Sequence, residues 1–312
     1  IRTQGSLRMN GGGDLDGDPR NLQDDALIYA AKGFTINGNA TLPVQRDANG
    51  NIIRDASGKA ILVSNALTVA TGYTSNTGPT NSYAGINPPT VISPQTIDIP
   101  SYTSLLNQTL SSHVSSGTSE VIFNAQTPLN TIADWNSKFP SGGTATNPKV
   151  VHVINGGLNI PSNVVLSNIV IKVDSGDINF NGNGQNFTNV VLIATNGNIN
   201  LNNTNAIDLS VFASGAINVN GSAKIGGTSL FATRARNGNV TFNGSTKTVT
   251  GTDQLQVIAQ GNITYNGSSD TRGSFLSAGT FTFNGSSTLY GSIGAKGNII
   301  FNGKTTVIGA SI

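Results

Sequence analysis

The residues best suited to chemistry stand near the start of the chain, in Asp14-Leu-Asp-Gly-Asp-Pro-Arg-Asn-Leu-Gln-Asp-Asp25. Asp14, Asp16, Asp18 and Asp25 fall at positions 1, 3, 5 and 12 of a twelve-residue loop. By that spacing, calcium loops of the EF-hand and dockerin type converge several hard oxygen ligands on one Ca²⁺. Three features depart from the pattern: Pro19 stands where glycine is usual, the twelfth residue is Asp rather than Glu, and the flanks pattern as strands. The competing account is an acidic, solvated loop held by Asx turns. The sequence therefore predicts Ca²⁺ as the one candidate cofactor.

Glycan cleavage would need a carboxylate pair, or a carboxylate with a basic partner, on one face. The acids of the regular segments are Asp174, Asp177, Asp208, Asp253 and Asp270, and the only glutamate is Glu120. His113 and His152 are far apart in sequence, and Arg234 and Arg236 sit two apart on one strand face, where they could meet a glycan; the competing account is a solvated corner. No acid and base are visibly paired. The expectation is a protein that is not an enzyme, with polysaccharide lyase or hydrolase kept as an alternative.

The elements that must position any such residues announce themselves by repetition. Gly176-Asp-Ile-Asn-Phe-Asn-Gly182 recurs as Gly197-Asn-Ile-Asn-Leu-Asn-Asn203 and Gly215-Ala-Ile-Asn-Val-Asn-Gly221. Further copies lead from Gly238, Gly261, Gly279 and Gly297. Successive leading glycines lie 21, 18, 23, 23, 18 and 18 residues apart. Within each phrase the apolar residues are two apart, which puts them on one face of a short strand. A strand of about 5 residues cannot bury that face alone, whereas stacking copies about 4.8 Å apart buries it continuously. Between phrases lie apolar strands such as Val190-Val-Leu-Ile193 and Leu255-Gln-Val-Ile258. The fold class expected is all-β: a single parallel β-helix, or solenoid, of about 18–23-residue coils with a partly helical insertion.

The asparagine that closes each phrase occurs at Asn181, Asn202, Asn220, Asn243, Asn266, Asn284 and Asn302. Stacked coils would superpose these amides, each donating to the next, as a structural ladder. The competing account is that asparagine merely tolerates the corner conformation. Asn-Gly-Ser triplets at 220, 243, 266 and 284 match a glycosylation acceptor, but they are part of the repeat. The outward positions Asn179, Asn200, Asn218, Thr241, Thr264, Thr282 and Ile300 form a mixed row, a weak basis for ice binding.

Composition narrows the setting. Charged residues are 10% of the 312, against roughly 25% in an average globular protein. A formal charge of +2 supplies no reason for nucleic acid or an anionic membrane as partner. No apolar run approaches the roughly 18 residues of a membrane span. With no cysteine, disulfides and thiolate metal sites are excluded. An Asn/Gly/Thr-rich β repeat of this kind suggests a bacterial cell surface or extracellular location. The opening Ile1-Arg-Thr-Gln is neither a start methionine nor a charged leader, so the expectation is a numbering that starts inside a longer precursor or after processing.

Three segments follow along the chain. Residues 1–75 read as first coils, carrying Gly5-Ser-Leu-Arg-Met-Asn-Gly11, the acidic loop, and a hairpin or meander with turns at Asn49-Gly50 and Ser57-Gly58. Residues 76–149 read as a Pro/Ser/Thr-rich insertion with two short helices. The first helix has apolar positions 102, 105, 106 and 110 behind a Ser101 cap; the second is expected from a Thr127 cap with Pro128 at its first position. Such an insertion would cover an edge or a side of the solenoid. Residues 150–312 read as regular coils.

The Gly-Asn-Ile-x-Phe-Asn-Gly phrases resemble those of bacterial surface β-solenoid proteins: ectodomains that follow a pilin-like helix, polymer-forming bactofilin-like solenoids, and haemagglutinin-type adhesins. The resemblance covers residues 1–40 and 150–312, and the pilin-like helix itself is missing from this chain. It implies structural or adhesive work outside the cell, without catalysis. The first and last coils carry no polar cap, so end-to-end self-association into a filament or sheath is expected. A polysaccharide-binding adhesin is the alternative.

Overall fold

The computed structural model describes residues 1–15, 27–36, 42–63, 67–71, 90–114, 118, 120–140, 142–248 and 250–308. It is a β-solenoid of parallel sheets with coils of about 20 residues. By internal contacts it divides into two compact units: a mid-chain unit, residues 99–266, and a composite unit made of residues 1–98 with 267–312.

In the mid-chain unit one sheet stacks the repeat phrases: Leu158–Ile160, Ile178–Phe180, Ile199–Asn202, Ile217–Asn220, Val240–Asn243 and Ile263–Asn266, all parallel. The period-2 pattern does what it predicts. Ile178, Phe180, Ile199, Leu201, Ile217, Val240 and Phe242 are fully buried. Asn159, Asn179, Asn200, Asn218, Thr241 and Thr264 stand in one outward row. Inside, Phe242 stacks between Phe231 and Tyr265, at 6.1 and 4.2 Å between centroids.

The second sheet of this unit stacks Glu120–Asn124, Lys149–Ile154, Val165–Val173, Gln185–Ala194 and Thr204–Ala213. It continues through the paired strands Ala223–Gly226 and Thr228–Thr233 to Thr246–Thr248 and Gln254–Ala259. Coiling thus begins at Glu120, inside the segment read as an insertion. The long strands turn a corner at Asn168, Asn189, Asp208 and Gly227, all with φ between 50° and 62°. Asn, Asp and Gly tolerate this left-handed conformation best.

This second sheet has an apolar outer face, which an alternating strand would not have. Val170, Val191, Ile193 and Phe212 are covered by helix α1, Tyr102–His113, through Tyr102, Leu105, Leu106 and Leu110. Tyr102 meets Phe212 edge-on at 5.6 Å, and burial pushes its phenol up to about 12. Ser101 caps α1 as its sequence position predicts.

Helix α2, Ile132–Lys138, starts later than expected. Its cap is Thr131, not Thr127, because Thr131 and Asp134 form a reciprocal capping box that satisfies two otherwise orphaned donors. Its Trp135 stacks on Phe139 at 4.0 Å, and Phe139 packs on Phe123. The Lys138 ammonium, 2.7 Å away, and then the Thr131 hydroxyl hold the Asp134 carboxyl below its usual range. A depressed carboxylate contributes stability above its unfolded pKa of about 4 and loses it as pH falls through the folded value. Trp135 is the only tryptophan. Its emission should therefore shift to the red on acidification below about pH 4, and the Asp134→Asn variant should show a blunted version of that shift.

In the composite unit Phe281–Asn284, Ile299–Phe301, Leu7–Met9 and Phe34–Ile36 form one sheet in that order. In its other sheet Ser269–Ser277 pairs with Ser287–Ala295. Two segments then share the far side of Ser287–Ala295. Thr305–Ile308 pairs with its first half, and Arg2–Thr3 pairs with Gly294 and Ala295. Gly13–Asp14 lies on Thr305–Thr306, Ile28–Ala30 on Arg2–Thr3, and Leu67–Ala70 and Thr90–Ile92 follow. The winding thus passes from the end of the sequence to its beginning. The last coil, expected to stand open, is covered by residues 1–14. The reason is that the opening phrase Gly5–Gly11 carries the same apolar and asparagine positions as the coil it joins.

The expected meander is present at residues 42–63. Antiparallel bridges join Val44 to Leu62, Arg46 to Ile52 and Arg54 to Ala60. Asp47 and Asp55 each accept backbone N–H groups across their turns at 2.9 Å.

Candidate assembly site

Amide ladders run along the outside of the coils. Asn220 donates to Asn202 at 3.0 Å, Asn243 to Asn220 at 3.1 Å, and Asn266 to Asn243 at 2.9 Å. In the composite unit Asn302 donates to Asn284, and Asn10 to Asn302, each at 2.7 Å. Asn181 is the exception among the expected residues. The Asn202 amide turns to the Phe180 carbonyl, so Asn181 makes no rung with it. Two further sets of amide rungs were not expected as ladders, one of them in the outward row read from the sequence as a mixed surface. Asn179 bonds to Asn159, Asn200 to Asn179 and Asn218 to Asn200, at 3.1, 2.7 and 2.8 Å. Asn189 bonds to Asn168 at the left-handed corner. Inside, the corners after Asn202, Asn243, Asn266, Asn284 and Asn302 are each followed by a buried hydroxyl, Thr204, Thr246, Ser269, Ser287 and Thr305, while Gln185 and Ala223 take that place after Asn181 and Asn220.

Because Asn220 both donates and accepts, Asn220→Leu should cost two amide bonds, or about 1–3 kcal/mol of unfolding free energy. Asn181→Leu, outside the ladder and exposed, should stay within about 0.5 kcal/mol of the parent. Denaturant midpoints of the two variants check the contrast.

The junction between sequence start and sequence end is built like every other coil contact. Leu7, Arg8 and Met9 pair in register with Ile299, Ile300 and Phe301. Gln4 N–H donates to the Ala295 carbonyl, Ile299 N–H to Ser6, and Asn10 N–H to Phe301, at 3.0, 3.0 and 2.7 Å. Asn298 accepts from the Ser6 N–H at 2.9 Å. Leu7 and Met9 are 1% exposed, and Ile299 and Phe301 are 0% exposed. Glycine is needed here for close approach: a Cβ on Gly5 would lie 2.6 Å from the Gly297 carbonyl oxygen, and one on Gly11 2.8 Å from that of Gly303.

Of the predicted calcium ligands, Asp16, Asp18 and Asp25 lie outside the described residues. Asp14 is placed in the strand Gly13–Asp14, beside Thr306. Among the described residues no three His, Asp or Glu side chains are gathered to hold a metal ion.

The structure does bring together polar side chains that the sequence kept apart. His152 Nδ1 is 3.2 Å from Glu120 and its Nε2 is 2.7 Å from Asp174, whose other oxygen is 3.8 Å from Lys172. The Nε2 contact is close without hydrogen-bond alignment. Glu120 arrives there because its segment is a strand beside Lys149–Ile154. Three other acids accept from backbone: Asp177 from Asn198 N–H, Asp208 from Thr228 N–H and Asp253 from Gly227 N–H. Arg234 donates to the Thr195 carbonyl at 3.0 Å. A solvent-open hollow of about 370 Å³ is lined by Leu129, Asn130, Asn159, Pro161, Ser162 and Asn181. Among the described residues no helix is long and apolar enough to cross a membrane.

Comparison with known proteins returns no match: no family model, no curated protein and no solved structure is similar to this chain.

Proposed function

We propose that the chain is a non-catalytic structural element of the bacterial cell surface or extracellular space, a solenoid whose copies join through coil edges into a filament or sheath. The observation that carries this reading is the junction of residues 1–14 with residues 294–306. A coil edge of this chain accepts a separate stretch of its own repeat, in register, with the backbone bonds and amide rungs of an internal contact. The resemblance of the phrases to polymer-forming surface solenoids points the same way. Calcium bound through Asp14, Asp16, Asp18 and Asp25 is part of the same proposal. Sedimentation and negative-stain electron microscopy over a concentration series, with calcium and with chelator, test the reading. Elongated assemblies that grow with concentration are expected; dispersed monomers throughout, with calcium present, would overturn it.

A second reading, a polysaccharide-binding adhesin, is favoured by the hollow at Asn159 and Asn181 and by the neutral amide row that leads to it. Such a surface suits uncharged sugars. Retention on neutral polysaccharide that is lost in an Asn159→Ala/Asn181→Ala variant would support it.

A further inference from the structure

The junction between the two ends of the sequence is noncovalent, and it is specified only by the repeat itself. Its pairings, Leu7–Ile299, Arg8–Ile300 and Met9–Phe301, are of the same kind as Phe281–Ile299, Thr282–Ile300 and Phe283–Phe301 one coil earlier. Ser287–Ala295 is served by two separate segments, so this coil is divided between the start and the end of the sequence. Nothing in the register or in the Asn10–Asn302 rung distinguishes residues 1–14 of the same copy from residues 1–14 of another. The stretch that leads out of the docked body, residues 93–101, belongs to neither helix nor strand. It contains Pro94 and Pro100, and residues 93–96 are exposed. Its anchors are few, the buried Ile97 and the Gln95 N–H that donates to the Tyr29 hydroxyl, and an element joined to its own copy by one such connector is open to exchange between copies.

We propose that residues 1–92 are an exchangeable body, which docks on Ile299–Phe301 and Gly294–Thr306 of a second copy as it does on its own. The partner is another molecule of this chain. Reciprocal donation between two copies closes a dimer, whereas donation from each copy to the next, through donating and accepting surfaces that differ, generates an open chain of copies. The proposal rests on the self-assembly reading above and names the contact responsible.

Closure within one copy competes through an effective concentration in about the millimolar range. Exchange in dilute solution is therefore a minority outcome. It rises in proportion to protein concentration, and it dominates where copies are crowded on a surface.

The test uses the absence of native cysteine. Arg8 and Ile300 are register neighbours, and adjacent strands about 4.8 Å apart fall within disulfide reach. Full-length Arg8→Cys and Ile300→Cys single variants are mixed, unfolded and refolded together, and oxidised; the linked species are then mapped by peptide mass spectrometry. In this mixture a bond between positions 8 and 300 can form only between two copies. The expected result is a covalent dimer with that bond, its yield rising about tenfold when the refolding concentration is raised tenfold. The Arg8→Cys/Ile300→Cys double variant, which links within one copy, confirms that the junction forms. If the double variant closes on itself and the mixed single variants give no such bond at any concentration, exchange is ruled out. Assemblies still visible by microscopy in that case would leave the self-assembly reading standing on another contact, and their absence would end both. A double variant that forms no bond would show that the docked register itself is wrong, and the proposal would fall with it.

Discussion

Replacing Phe242 by alanine should lower the unfolding free energy of the mid-chain unit by about 3–5 kcal/mol, the range for emptying a buried aromatic site. The ring is fully buried and stacked at an interplanar angle of 12° on both Phe231 and Tyr265. Both neighbours are anchored in strands, Thr228–Thr233 and Ile263–Asn266, that cannot collapse into the space without breaking ladder bonds. The effect should also be local. Coils of a solenoid contact only their neighbours, so a lesion in one divides the stack. Guanidinium unfolding followed by far-UV circular dichroism measures the loss, and limited proteolysis should cut first near the altered coil. Phe242→Leu, which keeps most of the volume, should cost less than half as much. A midpoint unchanged in the alanine variant would mean that the ring is not part of the packed interior.

Gly197→Ala is the second change with a large expected effect, and it acts through backbone instead of side chain. A Cβ there would fall well inside contact distance of the Gly176 carbonyl oxygen and carbon. The clash is with main chain, so no rotamer relieves it. Gly197 is also held in place: its N–H donates to the Ser214 hydroxyl at 2.9 Å, and its carbonyl accepts from the Gly215 N–H at 2.9 Å. Overpacking of this kind costs about 1–3 kcal/mol, at the upper end where backbone must shift. For a unit of this size that is roughly 5–10 °C in melting temperature. Gly251→Ala, where an added Cβ meets nothing within 4 Å, is the control expected to melt with the parent.

Much of the fold was legible in the sequence because a solenoid repeats one local solution. Ile178 and Phe180 two apart, with Gly176 before and Asn181-Gly182 after, specify strand, inner face and corner within seven residues. The amphipathic spacing of Tyr102, Leu105, Leu106 and Leu110 was equally local, and so was the Ser101 cap. The start of α2 was misplaced because two capping signals compete there, and the Thr131–Asp134 box satisfies more donors than Thr127 with Pro128. Asn181 was expected in the ladder on pattern alone, but a rung needs a partner amide turned toward it, and Asn202 turns to a backbone carbonyl instead.

Groupings that depend on pairs distant in sequence were harder to see. Glu120 and Asp174 meet at His152 only because a strand read as insertion joins the sheet. The apolar outer face at Val170, Ile193 and Phe212 could be suspected from unbroken runs such as Val190-Val-Leu-Ile193, which signal burial on both faces. What covers that face was a matter of tertiary packing.

The sequence by itself determined the parallel solenoid, the inward and outward sides of each rung, and the neutral amide surface, because these follow from period, corner residues and composition over a few residues at a time. Only the tertiary structure decided the order in which coils stack where the two ends of the sequence meet. A repeat makes every edge chemically equivalent to every other, so the pattern is silent on which edge a given coil will choose. That choice depends on where the intervening chain lets the first fourteen residues reach.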